Sequence, residues 1–253
     1  NGTLEILSGT IKGEATVENG IAKIKGDMEV VGNIYATIAG EDADAKRIAM
    51  GSHVDSVLNG GNYDGILGVL SAMEVLETIV REKIPHKHPL TAVIWTNEEG
   101  SLYEPSMMCS GIVCYDYLPP QIQEKYHFED MMDSKSIVDN KTTFGEALKR
   151  SGYQGDKKYR MTPEKYECIF ETHIEQGPIL EEHHKDIGVV DCVIGLMNYR
   201  VILKGQTVHS GTFPMERRKD AFYAASQVLC SLHEQIDALH IPGLVYTTGE
   251  VVC

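Results

Sequence analysis

The run Leu90-Thr91-Ala92-Val93-Ile94-Trp95-Thr96 constrains the fold of this chain more than any other stretch. It is continuous, apolar and rich in β-branched residues, the pattern of a strand covered on both faces by other structure. Upstream, Ile66, Val69, Leu70, Met73, Leu76 and Val80 recur at helical spacing behind Asp64-Gly65, predicting a helix whose entrance loop holds Asp64. Before that helix, Arg47-Ile48-Ala49-Met50 reads as a short buried strand, with His53 just past its end. Strand, helix and strand in this order predict a parallel βαβ unit, and in such sheets ligands gather outside the carboxyl ends of the strands. His53 and the Glu98-Glu99 pair are therefore expected to meet, although they are far apart in sequence.

The remaining text is less regular. Residues 28–40 read as strands broken at Gly32-Asn33, residues 143–150 as a helix stopped by Ser151-Gly152, and a second short helix is expected after Thr162-Pro163. Residues 168–173 read as a strand ending in a ligand. Near the start, Asn19-Gly20 is a hairpin signal, while Val17, Ile21 and Ile24 also fit one helix face, and both readings stay open. Past Gly195, residues 198–204 alternate as a strand, 220–239 are amphipathic and 244–252 read as a further strand, a β-α-β segment of a second domain. The expected division is residues 1–194 and 195–253.

Bulk properties exclude several functions. The 253 residues carry 37 acidic and 23 basic side chains, a net charge of −14, which disfavours nucleic acid and anionic membrane surfaces because both need clustered Lys and Arg. A small-molecule substrate is the better expectation. No apolar run approaches the ~20 residues that span a bilayer, and the first residues lack the pattern of a signal peptide, so a cytoplasmic protein is expected. The 6 cysteines are scattered without a CxxC pair, as reduced and mostly buried thiols would be. No GxGxxG, P-loop or nucleophile elbow occurs.

Chemistry concentrates in three pieces: Gly51-Ser52-His53-Val54-Asp55 with Asp64, Asn97-Glu98-Glu99-Gly100, and Glu171-Thr172-His173-Ile174-Glu175-Gln176-Gly177. Imidazoles and carboxylates without cysteine suit Zn²⁺ or Mn²⁺, with Co²⁺ and Ni²⁺ also acceptable, and the pattern points to a hydrolase with two divalent metal ions. Asp55, two residues on from His53, is placed to accept its second imidazole N–H and fix the ligating tautomer. Asp64 can bridge two cations with its two oxygens, or serve as a cap or turn residue. Of Glu98 and Glu99, one can bind metal while the other takes a proton from metal-bound water; the alternative is a solvated acidic turn. His173 is either a ligand or structural. His209, in Val208-His209-Ser210-Gly211, can donate to a developing oxyanion if a neighbouring domain or subunit presents it, or is an exposed loop residue. Arg218 and Asp220 read as an ion pair at a helix start, and His183-His184 as a surface turn.

These motifs resemble the two-metal amidohydrolases comprising N-carbamoyl-L-amino acid hydrolases, β-ureidopropionase-like enzymes and allantoate amidohydrolases, relatives of the aminoacylases and carboxypeptidases. The matching text is Gly51-Ser-His-Val-Asp-Ser56, Asn59-Gly-Gly-Asn-Tyr-Asp-Gly65, Trp95-Thr-Asn-Glu-Glu-Gly-Ser101, His173-Ile-Glu-Gln-Gly-Pro178 and His209-Ser-Gly-Thr-Phe-Pro-Met215. The resemblance implies an α/β, phosphorylase-like catalytic domain with a mixed, largely parallel sheet, plus a smaller α/β lid that carries homodimerisation. It implies that His53 and His173 ligate one metal, Asp64 bridges, Glu99 ligates the second, Glu98 is the general base and Asp55 stands behind His53. Gln176 is implied as a substrate contact, and His209 as a residue reaching the active site of the partner protomer. The implied reaction is hydrolysis of an N-carbamoyl-L-amino acid, with allantoate next and an aminoacylase or dipeptidase third; a non-catalytic metal-binding or dimerising remnant is the rival of another class. The resemblance also places a final metal-binding histidine, and lid Asn and Arg residues, in a region that would follow Cys253. Leu102-Tyr103 stands where many members carry a basic or small residue followed by Phe, and residues 1–27 do not match the long opening helix the family implies.

Overall fold

In the computed structural model the chain divides into two units, Asn1–Ile187 and Gly188–Cys253. The structure describes the backbone of Thr3–Ser8, Thr16–Glu18 and Ile21–Met28, and residues 31–193, 195–249 and 251–252. In the first unit the strands are β1 (Thr3–Ser8), β2 (Thr16–Glu18), β3 (Ile21–Met28), β4 (Ile34–Ile38), β5 (Arg47–His53), β6 (Leu90–Trp95) and β7 (Tyr166–Phe170). The helices are α1 (Ile66–Arg81), α2 (Met108–Cys114), α3 (Pro120–Gln123), α4 (Phe128–Asp133), α5 (Phe144–Ser151) and α6 (Ile179–Glu182). The second unit contributes α7 (Ala221–Leu239).

Strand order is β1-β3-β4-β6-β5-β7, with β2 paired to β3. The sheet is mixed. β5 runs parallel to both β6 and β7, as the βαβ reading requires, whereas β4 runs antiparallel to β6 and to β3. Parallel pairing therefore joins β5 to β6 and β7, the part that carries the candidate ligands, and β1 to β3, while the pairs β2–β3, β3–β4 and β4–β6 are antiparallel, so the sheet is mixed without being largely parallel. Between the two open readings of the N-terminal stretch, strand pairing decides: β2 is antiparallel to β3 with Glu18 opposite Ile21, as a hairpin demands.

All six residues of β6 are buried, which explains its unbroken apolar text. Its two faces go to different neighbours. Leu90 and Ala92 cluster with Ala72 and Leu76 of α1, and Ile94 with Val69, while Val93 and Trp95 pack with Tyr35 and Val113 of α2. Removing a large aliphatic side chain from water is worth roughly 1.5–3 kcal/mol, so this two-sided burial fixes β6 firmly. The α1 face differs from the predicted stripe. Gly68, Val69, Ala72 and Leu76 are buried, while Leu70 and Val80 are exposed, because the helix meets the sheet through its small residues.

Other expectations need correction. His53 is the last residue of β5 rather than a residue beyond it, opposite Trp95 in the ladder. The helix expected after Thr162-Pro163 is a turn: Lys165 and Tyr166 both donate to the Thr162 carbonyl before the chain enters β7. β7 ends at Phe170, so His173 follows the strand at three residues' distance. Of the described cysteines only Cys109 is buried, its Sγ donating to the Val31 carbonyl at 3.3 Å; Cys114, Cys168, Cys192 and Cys230 are exposed. Cys253 lies outside the described residues.

In the second unit α7 begins as the amphipathic text predicts, with the Asp220 carboxylate accepting from Tyr223 N at 2.9 Å. That capping bond replaces the expected ion pair, since Arg218 donates instead to the carbonyls of His209, Ser210 and Phe213. No strand occurs at 198–204 or among the described residues of 244–252. Alternating text becomes a strand only when a neighbour takes its hydrogen bonds, and neither stretch finds one among the described residues. His183 and His184 do form an exposed turn. Among the described residues no helix is long and apolar enough to cross a membrane.

Candidate metal centre

The carboxyl ends of β5 and β6 bring the first two pieces together. His53 is 2% exposed, and its Nδ1 lies 2.9 Å from the Asp55 carbonyl oxygen. Donation of Nδ1–H to that carbonyl leaves Nε2 free to face Asp64 Oδ1 at 3.8 Å and Glu98 Oε2 at 3.7 Å. The tautomer is thus set by the backbone of Asp55, not by its carboxylate as the sequence reading had it. Beyond the end of β5 the chain leaves the extended path, and the Asp55 carboxylate reaches the end of β6 instead. There its two oxygens accept from Glu98 N at 3.2 Å and Glu99 N at 2.9 Å.

That turn is held from several directions. Asn97 adopts a left-handed φ of 53° and Gly100 one of 70°, conformations that Asn tolerates and Gly favours. The buried Asn97 amide donates to the Tyr103 carbonyl at 2.7 Å, and Met107 N and Met108 N donate to the carbonyls of Glu98 and Asn97. Glu98 and Glu99 are therefore presented by a turn whose backbone groups are tied to Asp55 and to the start of α2.

Asp64 is neither cap nor simple turn residue. Gly65 occupies the N-cap of α1 with no side-chain capping bond, and the Asp64 carboxylate points into the cluster. Its Oδ1 lies 3.1 Å from His173 Nε2, and its Oδ2 accepts from Gln176 Nε2 at 2.8 Å. Gly65 is required here twice over. Its φ is +65°, and a Cβ would stand 2.4 Å from the His53 ring. The third piece completes the set. His173 Nδ1 lies 2.9 Å from the Ile174 carbonyl, orienting Nε2 toward Asp64, and the His53 and His173 rings are 5.8 Å apart.

Two ligand groups result. Atoms of His53, Asp64 and His173 lie within 4.8 Å of one another, as do atoms of His53, Glu98 and Glu99. The electrostatics ask for a cation. Burial first, then the crowding of neighbouring carboxylates, pushes Glu98 upward from the ordinary carboxylate range, partly offset by His53. Burial and the nearby Asp64 do the same to Glu99. Two imidazoles with three carboxylates, free of thiolate and short of positive charge, are a donor set that fits divalent metal ions.

Several contributors escaped the sequence reading. Ser52 Oγ donates to Glu171 Oε1 at 2.5 Å, and the Glu175 carboxylate caps α6 by accepting from Ile179 N and Leu180 N. The only prior signal for Gly65 was its place beside a candidate ligand at a helix entrance. His209 belongs to the second unit. It is exposed, and its Nδ1 accepts from Gly211 N at 3.1 Å and Thr212 N at 3.2 Å, which places the proton of the neutral ring on Nε2.

The model of peptidase family M20/M25/M40 matches residues 49–248. The chain belongs to that family. Among curated relatives it is 35% identical over 224 residues to an N-carbamoyl-L-amino-acid amidohydrolase of Rhizobium meliloti, covering 88% of this chain and 50% of that one. It is 32% identical over 209 residues to an allantoate amidohydrolase of Bacillus subtilis, covering 83% and 48%. Among solved structures, an amidase of the hydantoinase/carbamoylase family from Burkholderia vietnamiensis is similar at 36% identity and a TM-score of 0.64, over 85% of this chain and 49% of that chain. The chain spans about half the length of the curated relatives it matches.

Proposed function

We propose that this chain is part of a metal-dependent amidohydrolase that cleaves a linear C–N bond in a ureido substrate, most simply an N-carbamoyl-L-amino acid. The observation that carries the reading is the convergence of His53, Asp64, His173, Glu98 and Glu99 at neighbouring strand ends. Relatives named N-carbamoyl-L-amino-acid amidohydrolase at 32–35% identity support the substrate class.

His53 and His173 would hold one ion, Glu99 a second, and Asp64 both. Two divalent ions there, Zn²⁺ or Mn²⁺ with Co²⁺ or Ni²⁺ as alternatives, supply polarisation of the scissile carbonyl and a lowered pKa for water. Glu98 acts as the general base. It takes a proton from the attacking water as the new C–O bond forms, and delivers it to the nitrogen of the amino acid as the C–N bond breaks. The released carbamic acid falls apart to ammonia and carbon dioxide. Asp55 keeps Glu98 and Glu99 in place through their backbone N–H groups. Gln176 stands at the same cluster as a substrate contact. His209, whose Nε2–H is left to donate, is suited to a developing oxyanion in the active site of a partner protomer, and residues 195–253 would form the lid that makes the homodimer. A cytoplasmic location fits the reduced thiols.

Allantoate is the second reading, favoured by the Bacillus subtilis relative. Assays of the metal-loaded protein with N-carbamoyl-L-amino acids, allantoate and N-acetyl-amino acids decide between them. Turnover of the first class above the others is expected. Metal uptake without hydrolysis of any of the three would replace the enzyme with a metal-binding remnant.

A further inference from the structure

The backbone ladder between β5 and β7 stops at Met50 opposite Phe170, short of both imidazoles. What sets His173 beyond that point is a pair of contacts on the two residues just before it. Ser52, 0% exposed, donates from Oγ to Glu171 Oε1 at 2.5 Å, the short end of the range for hydroxyl-to-carboxylate bonds. On α1, Gly68 sits where a Cβ would lie 2.4 Å from the Thr172 carbonyl oxygen and 2.7 Å from Ser52 Cβ. Neither Ser52 nor Glu171 is among the grouped metal donors. We propose that Ser52 and Glu171 are positioning residues, a latch that holds His173 against Asp64 and His53 where strand pairing no longer reaches, with Gly68 as the notch that admits the Thr172 carbonyl.

The inference rests on the metal-dependent reading, because the residue being positioned is a ligand in that reading. Zn²⁺ titration of the metal-stripped protein by calorimetry tests it. Ser52→Ala changes no charge, and should weaken Zn²⁺ binding about 10–100-fold, the usual effect of losing a group that orients a ligand. Glu171→Ala should do likewise, the double variant should be no weaker than Glu171→Ala alone, and Glu171→Gln, which keeps an acceptor oxygen, should recover much of the loss. Metal-free Ser52→Ala should melt only the few degrees lower that one lost hydrogen bond costs. Unchanged affinity in Ser52→Ala, losses that multiply in the double variant, or a metal-free melting temperature that falls in step with affinity would each overturn the latch. A wild type that takes up no Zn²⁺ removes the metal-dependent reading itself, and the latch with it.

Discussion

β6 lies between β4 and β5 with every residue buried, whereas β7 closes the described sheet and buries only Tyr166 of its five residues. Both lead to candidate ligands. After β6 the ligands follow within a tight turn whose backbone groups are tied to Asp55 and the start of α2, and whose Asn97 side chain donates to the Tyr103 carbonyl. After β7, His173 comes three residues past the strand and is held by side chains and a glycine notch. The contrast teaches that one metal centre can be built on a rigid half, where packing does the positioning, and a second half that depends on individual hydrogen bonds. Damage to the first should show as lost stability or chemistry, and damage to the second as lost affinity for metal.

The largest expected effect lies on the rigid half. Glu98→Gln keeps shape and removes the base, so turnover should fall by about 10²–10⁴-fold. Elemental analysis alongside kinetics should find metal content unchanged, and an unaltered rate would remove Glu98 from the mechanism. Asp64 faces both halves, so Asp64→Ala should lose about 100-fold or more in Zn²⁺ affinity, read by calorimetry. Comparable loss from His173→Ala alone would mean the half held by individual hydrogen bonds dominates. Next is Gly65→Ala, which must place a Cβ on the His53 ring at a left-handed φ. About 2 kcal/mol of stability should be lost in urea denaturation.

A smaller pair measures the scaffold itself. Val93→Ala, at 0% exposure on β6, should cost about 2 kcal/mol, and Ile169→Ala, at 42% exposure on β7, under about 1 kcal/mol. Equal costs would erase the distinction between the strands. The smallest effect is a pH dependence. Because the folded state raises the proton affinity of Glu98, it holds more protons than the unfolded state as pH rises past the ordinary value of 4.5. Stability of the metal-free protein is lost over that interval. Metal-free Glu98→Gln should therefore be more stable than metal-free wild type at neutral pH, the gap closing in melts recorded below about pH 4.

The rigid half was largely legible in sequence. Burial on both faces leaves a continuous apolar run, and a βαβ unit has one plausible geometry, so the meeting of His53 with Glu98 follows from periodicity alone. The half beyond β7 was legible only as residue types. His173 was picked out by its motif, but Glu171, Ser52 and Gly68 interact across separate elements and carry no periodic signal. The strands expected at 198–204 and 244–252 failed for a related reason, since alternation records a face to be buried and not the partner that buries it.

Local chemistry written along the chain was thus enough to fix the βαβ unit and to single out the candidate ligands by residue type. Folding in three dimensions decided that the Asp55 carbonyl rather than its carboxylate sets the His53 tautomer, that Asp64 turns inward instead of capping α1, that Asp220 caps α7, and that Ser52 near the end of β5 bonds Glu171 just past β7. The division has a physical cause: periodicity and capping act between residues a few positions apart, whereas the direction of a carboxylate depends on which distant donors the packed sheet brings within about 3 Å.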